Sequence, residues 1–478
     1  MKKLSKNLTT AGLILFVFIG LNISSCKKYI EVPSPKMSVE MSKIFSDSSA
    51  TLSSVLNLYA NTQETLSIYT ALSADEIIMP PSSIIGTVLG AENTQANKLN
   101  VSVDASLMGF NAVRNIYVPL YDKINNANIC IEGITASTAY GTAYKNQLIG
   151  ECKFWRAWCY YYLTNLWGNV PLTLSTDVNI NKSLPNSTSA ALNHQILTDL
   201  VEARDLLSAT NLSTEKIRVN KATVTAMLAR VYFNQQNWPA AFAESNTLIT
   251  SNTYQLETDL AAVFLKPSRE TIFQIQSIGN TPSITGATRM PGFLAPLSGV
   301  LLTSYFNPNL LAALQSTDQR RTKWCTTFMD FTTFQMFTYP SKYKQVSTAV
   351  SGNEYLVMFR LAEQHLIRAE AAAHLNDFTL AEDDLYKVRN RAGLTTRLTV
   401  ADLPTAVSLL EQERRLELFT EWGDRWLNLK RTGRINTVLP VTKLGTIANY
   451  AWEPYQALYP FSAEDIRANP NIKQNPDY

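Results

Sequence analysis

The sequence predicts a mostly α-helical protein in which helical hairpins support a loop-rich region with short strands. Three observations carry that expectation. An internal repeat appears when residues 222–250 are laid over 362–390 at an offset of 140: Ala229 matches Ala369, Asn237-Trp238 matches Asp377-Phe378, and Ala241 matches Ala381. In ECKFWRAWCYYYLTNLWGNVPL, residues 151–172, Trp155, Cys159, Tyr162 and Leu166 recur at helical spacing until Gly168 and Pro171 end the run. Residues 251–350, by contrast, are rich in Thr, Ser, Gly, Pro and aromatics, with strand-like runs such as TIFQIQSI at 271–278.

From the start of the chain, Lys2, Lys3 and Lys6 precede AGLILFVFIGL, residues 11–21, an apolar run too short to span a bilayer and suited to a signal peptide. ISSC, residues 23–26, has the pattern of a bacterial lipobox. Residues 1–25 are therefore expected to be a lipoprotein signal peptide, with Cys26 the lipidated first residue of the mature chain. Several acyl chains, at about 0.8 kcal/mol per buried CH₂, anchor a protein stably where one chain does not. Residues 26–40, with Pro33 and Pro35, suit a tether. Residues 41–250 are read as an N-terminal half and 251–478 as a C-terminal half. No later segment approaches eighteen consecutive apolar residues.

The repeat has the pattern of a tetratricopeptide hairpin, in which alanines let paired helices approach closely. One such pair cannot bury its apolar face alone, so residues 151–166 and 190–208 are expected to supply further pairs. The aromatics of 151–166 read as core. Residues 80–105 are polar with little periodicity, and loops of this kind on a helical scaffold are where binding usually resides.

Composition excludes some classes of function. Without residues 1–25, 39 basic residues face 39 acidic ones, which leaves no surplus of cations for sequence-independent binding to nucleic acid. Cys152 and Cys159, seven apart on a helix, have Cα atoms roughly 10 Å apart, too far for a disulfide. No cysteine pair has zinc spacing and His194, His365 and His374 stand apart from the cysteines, so neither a metal nor a cofactor is expected.

The densest charge lies in ERRLELFTEWGDRWLNLKRTGR, residues 413–434, with six basic and four acidic side chains. On a continuous helix Glu413, Glu417, Glu421 and Arg425 form one stripe, and Glu421 and Arg425 make a favourable i, i+4 pair. Opposed charges beside tryptophans predict a structural clamp rather than a catalytic pair.

This stretch resembles the C-terminal signature of the SusD/RagB family of outer-membrane nutrient-binding lipoproteins, close to ERRxELFxEWGxRWxDLKRTGR. The departure is Asn428, where the family commonly has Asp, a difference expected to touch one contact on the helix surface. Three more segments are similar to the family: RAWCYYYLTNLWGNVPL at 156–172, DQRR at 318–321, and the tail LYPFSAEDIRANPNIKQNPDY at 458–478, with Asp477 in place of the usual Gly. The resemblance implies a SusD-like α/α superhelical fold that docks on a SusC-like TonB-dependent transporter. It further implies a cell-surface lid that captures an oligosaccharide, or a peptide, and performs no chemistry.

In starch-binding members the site is an aromatic arc with polar partners, drawn from an N-terminal loop and the middle of the chain. Residues 70–109 hold no Trp, Tyr or Phe, a departure from that arc. SADE, residues 73–76, resembles the segment opening the loop, so Asp75 and Glu76 are candidates to bind hydroxyls or to cap a helix. Asn93, Gln95 and Asn97 are candidate polar contacts. Phe293, Tyr305 and Trp324 are candidate stacking residues, Trp324 foremost, with Phe328, Phe331 and Phe334 close behind. Two other readings stand beside this one: a lipid-anchored tetratricopeptide scaffold for envelope complexes, and a glycoside hydrolase, which needs two carboxylates across a bound sugar.

Overall fold

In the repeat, the same backbone device ends the first helix of each hairpin. Gln236 and Asn376 both adopt left-handed conformations. The next amide donates back five residues, Asn237 to Tyr232 at 2.9 Å and Asp377 to Ala372 at 2.8 Å, which is a Schellman closure. Asn237 and Asp377 then cap the second helix through their side chains. Ala229, Ala241, Ala369 and Ala381 are fully buried, so the small-residue pattern marks the lines along which the helices touch.

The computed structural model describes residues 41–60, 64–80, 94–99, 113–276, 290, 294–296, 302–331, 333–345, 353–447 and 450–478. The longer helices are α1 (Ser48–Leu56), α2 (Glu64–Ser73), α3 (Arg114–Ala136), α4 (Thr142–Trp167), α5 (Ser189–Leu206), α6 (Lys221–Asn234), α7 (Trp238–Thr250), α8 (Leu361–His374), α9 (Phe378–Arg391), α10 (Leu403–Glu417), α11 (Asp424–Arg431) and α12 (Ile435–Thr442). The protein is mostly helical, as the sequence predicts. Packed pairs are α3 with α4, α4 with α5, α6 with α7 and α8 with α9, and α7 lies against α8, joining the two repeats. The expected extra pair is α4 with α5. Trp155, Trp158 and Tyr162 of α4 are wholly buried, and form a chain of ring contacts that reaches Trp422.

The strands are short and antiparallel: β1 (Ile77–Ile78), β2 (Val170–Pro171), β3 (Asn186–Ser187), β4 (Thr271–Ile275), β5 (Tyr305–Phe306), β6 (Cys325–Asp330), β7 (Gln335–Pro340) and β8 (Leu356–Arg360). They pair as β1–β5, β2–β3, β4–β8 and β6–β7. The tail closes over the end of α4, where Tyr459 N donates to Leu166 O at 2.7 Å and Trp167 Nε1 to Pro460 O at 2.9 Å. Asp477 has φ +68, which explains a Gly preference at that position.

The charged stretch is not one continuous helix. Thr420, Trp422 and Gly423 all have positive φ and turn the chain between α10 and α11. A Cβ on Gly423 would come within 2.9 Å of Thr70 Oγ1, so the turn seats against α2 at a distance only Gly permits. Glu421 therefore pairs with Lys342 and Arg360, and Arg425 with Asp75 and Glu411, in place of the expected Glu421–Arg425 pair.

Candidate ligand-binding face

The hairpin β6–β7 is rich in threonine and aromatic residues, which suit strands. Phe328 faces Phe337, and Met329 faces Met336 in the next pair along. Its tip closes where Phe334 N donates to Asp330 O at 2.7 Å and Thr333 Oγ1 to Asp330 Oδ2 at 2.9 Å, with Phe334 left-handed at φ +54. β5 lies against β7. Tyr305 of β5 meets the Phe337 ring at 4.9 Å, while Phe306, on the opposite face of β5, packs inward on Phe419.

The result is a strip of half-buried to exposed rings. Tyr450 and Tyr305 pack on Ile78, Ala96 and Ile447 at its foot. Phe337 and its cross-strand partner Phe328 continue it, and Phe331, 6.3 Å from Phe328, ends it at the tip. Phe331 is 52% exposed and Phe334 75%. Rings in such a row offer apolar faces, and Gln335 adds an exposed amide that both donates and accepts.

Several candidates lie beneath this face rather than on it. Asp75 is fully enclosed and accepts from Arg425 at 2.7 and 3.0 Å and from Arg415 at 3.0 Å. Burial raises its pKa, but the two guanidinium groups outweigh that and hold the carboxyl well below the usual range. Glu76 is buried too, accepts from Thr420 N, and is pushed up to about 8 by burial and by the Asp75 charge. Gln95 brackets Met79, accepting from its N–H and donating to its carbonyl, both at 3.0 Å. Asn97, left-handed at φ +57, donates to Ser73 O and accepts from Lys443 Nζ at 2.7 Å. These four residues brace the start of the N-terminal loop; their polar atoms are spent on the protein.

Trp324 is the main correction. It is 1% exposed, its Nε1 donates to Leu260 O at 2.8 Å, and Phe264 and Phe419 cover its edges. Lys342 Nζ sits 4.9 Å from its ring centre, so no face remains for a sugar. Of the candidates among the described residues, Tyr305, Phe328 and Phe331 lie on the strip. Asn93 and Phe293 fall outside the described residues, as do Cys26 and the tether.

The charged stretch is a buried clamp. Glu417 accepts from Arg360 at 2.5 Å, from Arg320 at 3.1 Å, and from Arg391. Glu413 takes Arg320 at 2.6 Å and Arg389, and Glu270 takes Arg360 and Arg391. Burial would lift Glu417, but its three arginines depress it far below the ordinary range. Asn428 is buried, not on the helix surface, and accepts from Arg431 at 2.6 Å. A cavity of about 30 Å³ lined by Arg230, Glu363, Arg414 and Asp424 is the size of one or two waters, far below the roughly 300–1,000 Å³ of a small-molecule site. Among the described residues, no three His, Cys, Asp or Glu groups are placed to hold a metal.

Apart from Glu270, the segments that meet in this clamp and around the end of α4 fall within stretches that family models recognise. A model described as starch-binding, associating with outer membrane, matches residues 28–233, and the SusD family model matches 311–478. The chain belongs to the SusD/RagB family. Among its SusD relatives, SusD-like protein P25 of Formosa agariphila is 23% identical, covering 97% of this chain and 98% of that one. A SusD superfamily protein from Bacteroides vulgatus superimposes with a TM-score of 0.76 at 17% identity, over 91% of this chain and all of the other. Surface glycan-binding protein A from Bacteroides thetaiotaomicron, solved with laminarihexaose, gives 0.74 at 19% identity, over 90% and 99% of the two chains.

Phe337 and Tyr450 are the strip residues that sequence reasoning left out. The signal for Phe337 was present: two short apolar runs, Phe328-Met329 and Met336-Phe337, flank residues 330–335 as the arms of a hairpin flank its turn. Tyr450 had none, because it joins the strip only through the fold.

Proposed function

We propose that this SusD-family protein is a cell-surface lipoprotein, held at the outer membrane through Cys26, that captures an oligosaccharide along the strip Tyr450–Tyr305–Phe337–Phe328–Phe331. The captured sugar passes to a SusC-like TonB-dependent transporter. The observation that carries this reading is the row of accessible rings on a hairpin whose base is fixed by the buried family signature. Sugars stack C–H faces on aromatic rings and offer hydroxyls to flanking amide and phenol groups. The laminarihexaose complex of a protein with the same fold supports a glycan as the ligand class. A hydrolase would need two carboxylates across the sugar, and the hairpin carries one, Asp330, which is buried.

One observation favours a second reading, a scaffold for envelope proteins. Met329 and Met336, on the hairpin face opposite the rings, are exposed, and thioether side chains adapt well to protein surfaces. Affinity purification of the lipidated protein from native outer membranes separates the two. Stoichiometric recovery of a TonB-dependent barrel is expected; recovery of other envelope proteins without a barrel would favour the scaffold.

A further inference from the structure

We infer that the strip selects uncharged oligosaccharides, so that sulfated or uronate-rich glycans are not its ligands; this rests on the strip being the glycan site. The whole hairpin from Cys325 to Pro340 contains one charged residue, Asp330, and that carboxylate is turned inward to the tip hydroxyl of Thr333. No cation on the hairpin faces a ligand.

Two described lysines beside the strip, Lys342 and Lys443, are committed elsewhere. Lys342, two residues beyond β7, directs its ammonium to Glu417 O at 2.8 Å, Phe419 O at 2.9 Å and Glu421 at 2.5 Å. Lys443, whose ammonium lies 5.3 Å from the Tyr450 ring centre, donates to Leu72 O, Ser73 O and Asn97 Oδ1 at 2.7 to 3.0 Å. An ammonium has three donors, and each of these two has used all three on protein oxygens. At the base of the hairpin, Lys323 Nζ lies 3.6 Å from Asp259.

A glycan with an anionic group on each repeat would lay those charges against apolar rings on a hairpin that carries no cation, losing hydration without compensation from it. A neutral glycan loses water only from C–H faces that the rings replace. Affinity for a neutral chain is then insensitive to salt, because no ion pair forms.

The test is native affinity electrophoresis of the full chain through gels containing starch, laminarin, xylan or galactomannan, and through gels containing alginate, pectate or carrageenan, at low and high salt. At least one neutral polymer is expected to retard the protein, the anionic ones are not, and Phe331→Ala should weaken the retardation about tenfold. Retardation by an anionic polymer that Phe331→Ala removes would overturn the selectivity while leaving the strip as the site. Neutral binding that survives both Phe331→Ala and Phe328→Ala, with the fold intact by circular dichroism, would overturn the strip itself. Retardation by no neutral polymer overturns both.

Discussion

Trp324 and Phe331 come from the same aromatic-rich stretch, yet one is 1% and the other 52% exposed, and their substitutions should separate accordingly. Trp324→Ala empties a site enclosed by Phe264 and Phe419 and is expected to cost about 3–5 kcal/mol of stability, read by chemical denaturation. Phe331→Ala should leave the midpoint of unfolding almost unchanged and act on glycan affinity alone. Phe334 allows a separate test, of backbone strain at the hairpin tip. Its left-handed backbone costs a non-glycine residue about 1 kcal/mol, so Phe334→Gly should hold or raise the melting temperature in thermal denaturation. Asp75→Asn tests the brace: it removes the partner of two buried guanidinium groups and should destabilise by about 3–5 kcal/mol. A variant that stayed stable but lost glycan affinity would return Asp75 to the ligand.

The turn between α10 and α11 shows how one element redirects a motif whose spacing is correct. Four-residue steps placed Glu413, Glu417, Glu421 and Arg425 on one stripe, but the positive-φ residues Thr420, Trp422 and Gly423 rotate Arg425 away toward Asp75. That turn also sets the amide of Thr420 on Glu76. Glu76 gives the element a pH dependence. Its folded pKa, near 8, lies above the ordinary 4.5, so the folded state binds the proton more tightly than the unfolded chain. The resulting stabilisation is complete below about pH 4.5 and drains away as pH rises to about 8. Glu76→Gln keeps the neutral shape at every pH; its melting temperature should match the parent near pH 5 and exceed it by several degrees at pH 8. Equal pH profiles for the two proteins would show that the carboxyl ionises freely in the fold.

Across the molecule, charge is balanced, and in the clamp it is internal: 39 basic and 39 acidic residues remain after position 25, and the arginines of the clamp face carboxylates, not solvent. Glycan affinity measured by calorimetry should consequently change less than about twofold between low and physiological salt. A steep fall with salt would place ion pairs in the complex. What the sequence by itself determined is whatever is encoded within a few turns of chain. The repeat showed in Ala229, Asn237 and Ala241 and their counterparts because helix packing and capping are local requirements. The clamp was legible as a clamp because dense opposed charges beside tryptophan have no cheaper use. Which acid meets which base was not legible, since Arg415 and Asp75 are 340 residues apart and only the fold brings them within 3.0 Å. Nor was the exposure of any one aromatic. Trp324, Phe331 and Phe337 share the same local chemistry, and their fates differ because burial is a sum over neighbours from distant segments. The tertiary structure alone decided that Trp324 closes the core while Tyr305 and the hairpin phenylalanines face outward.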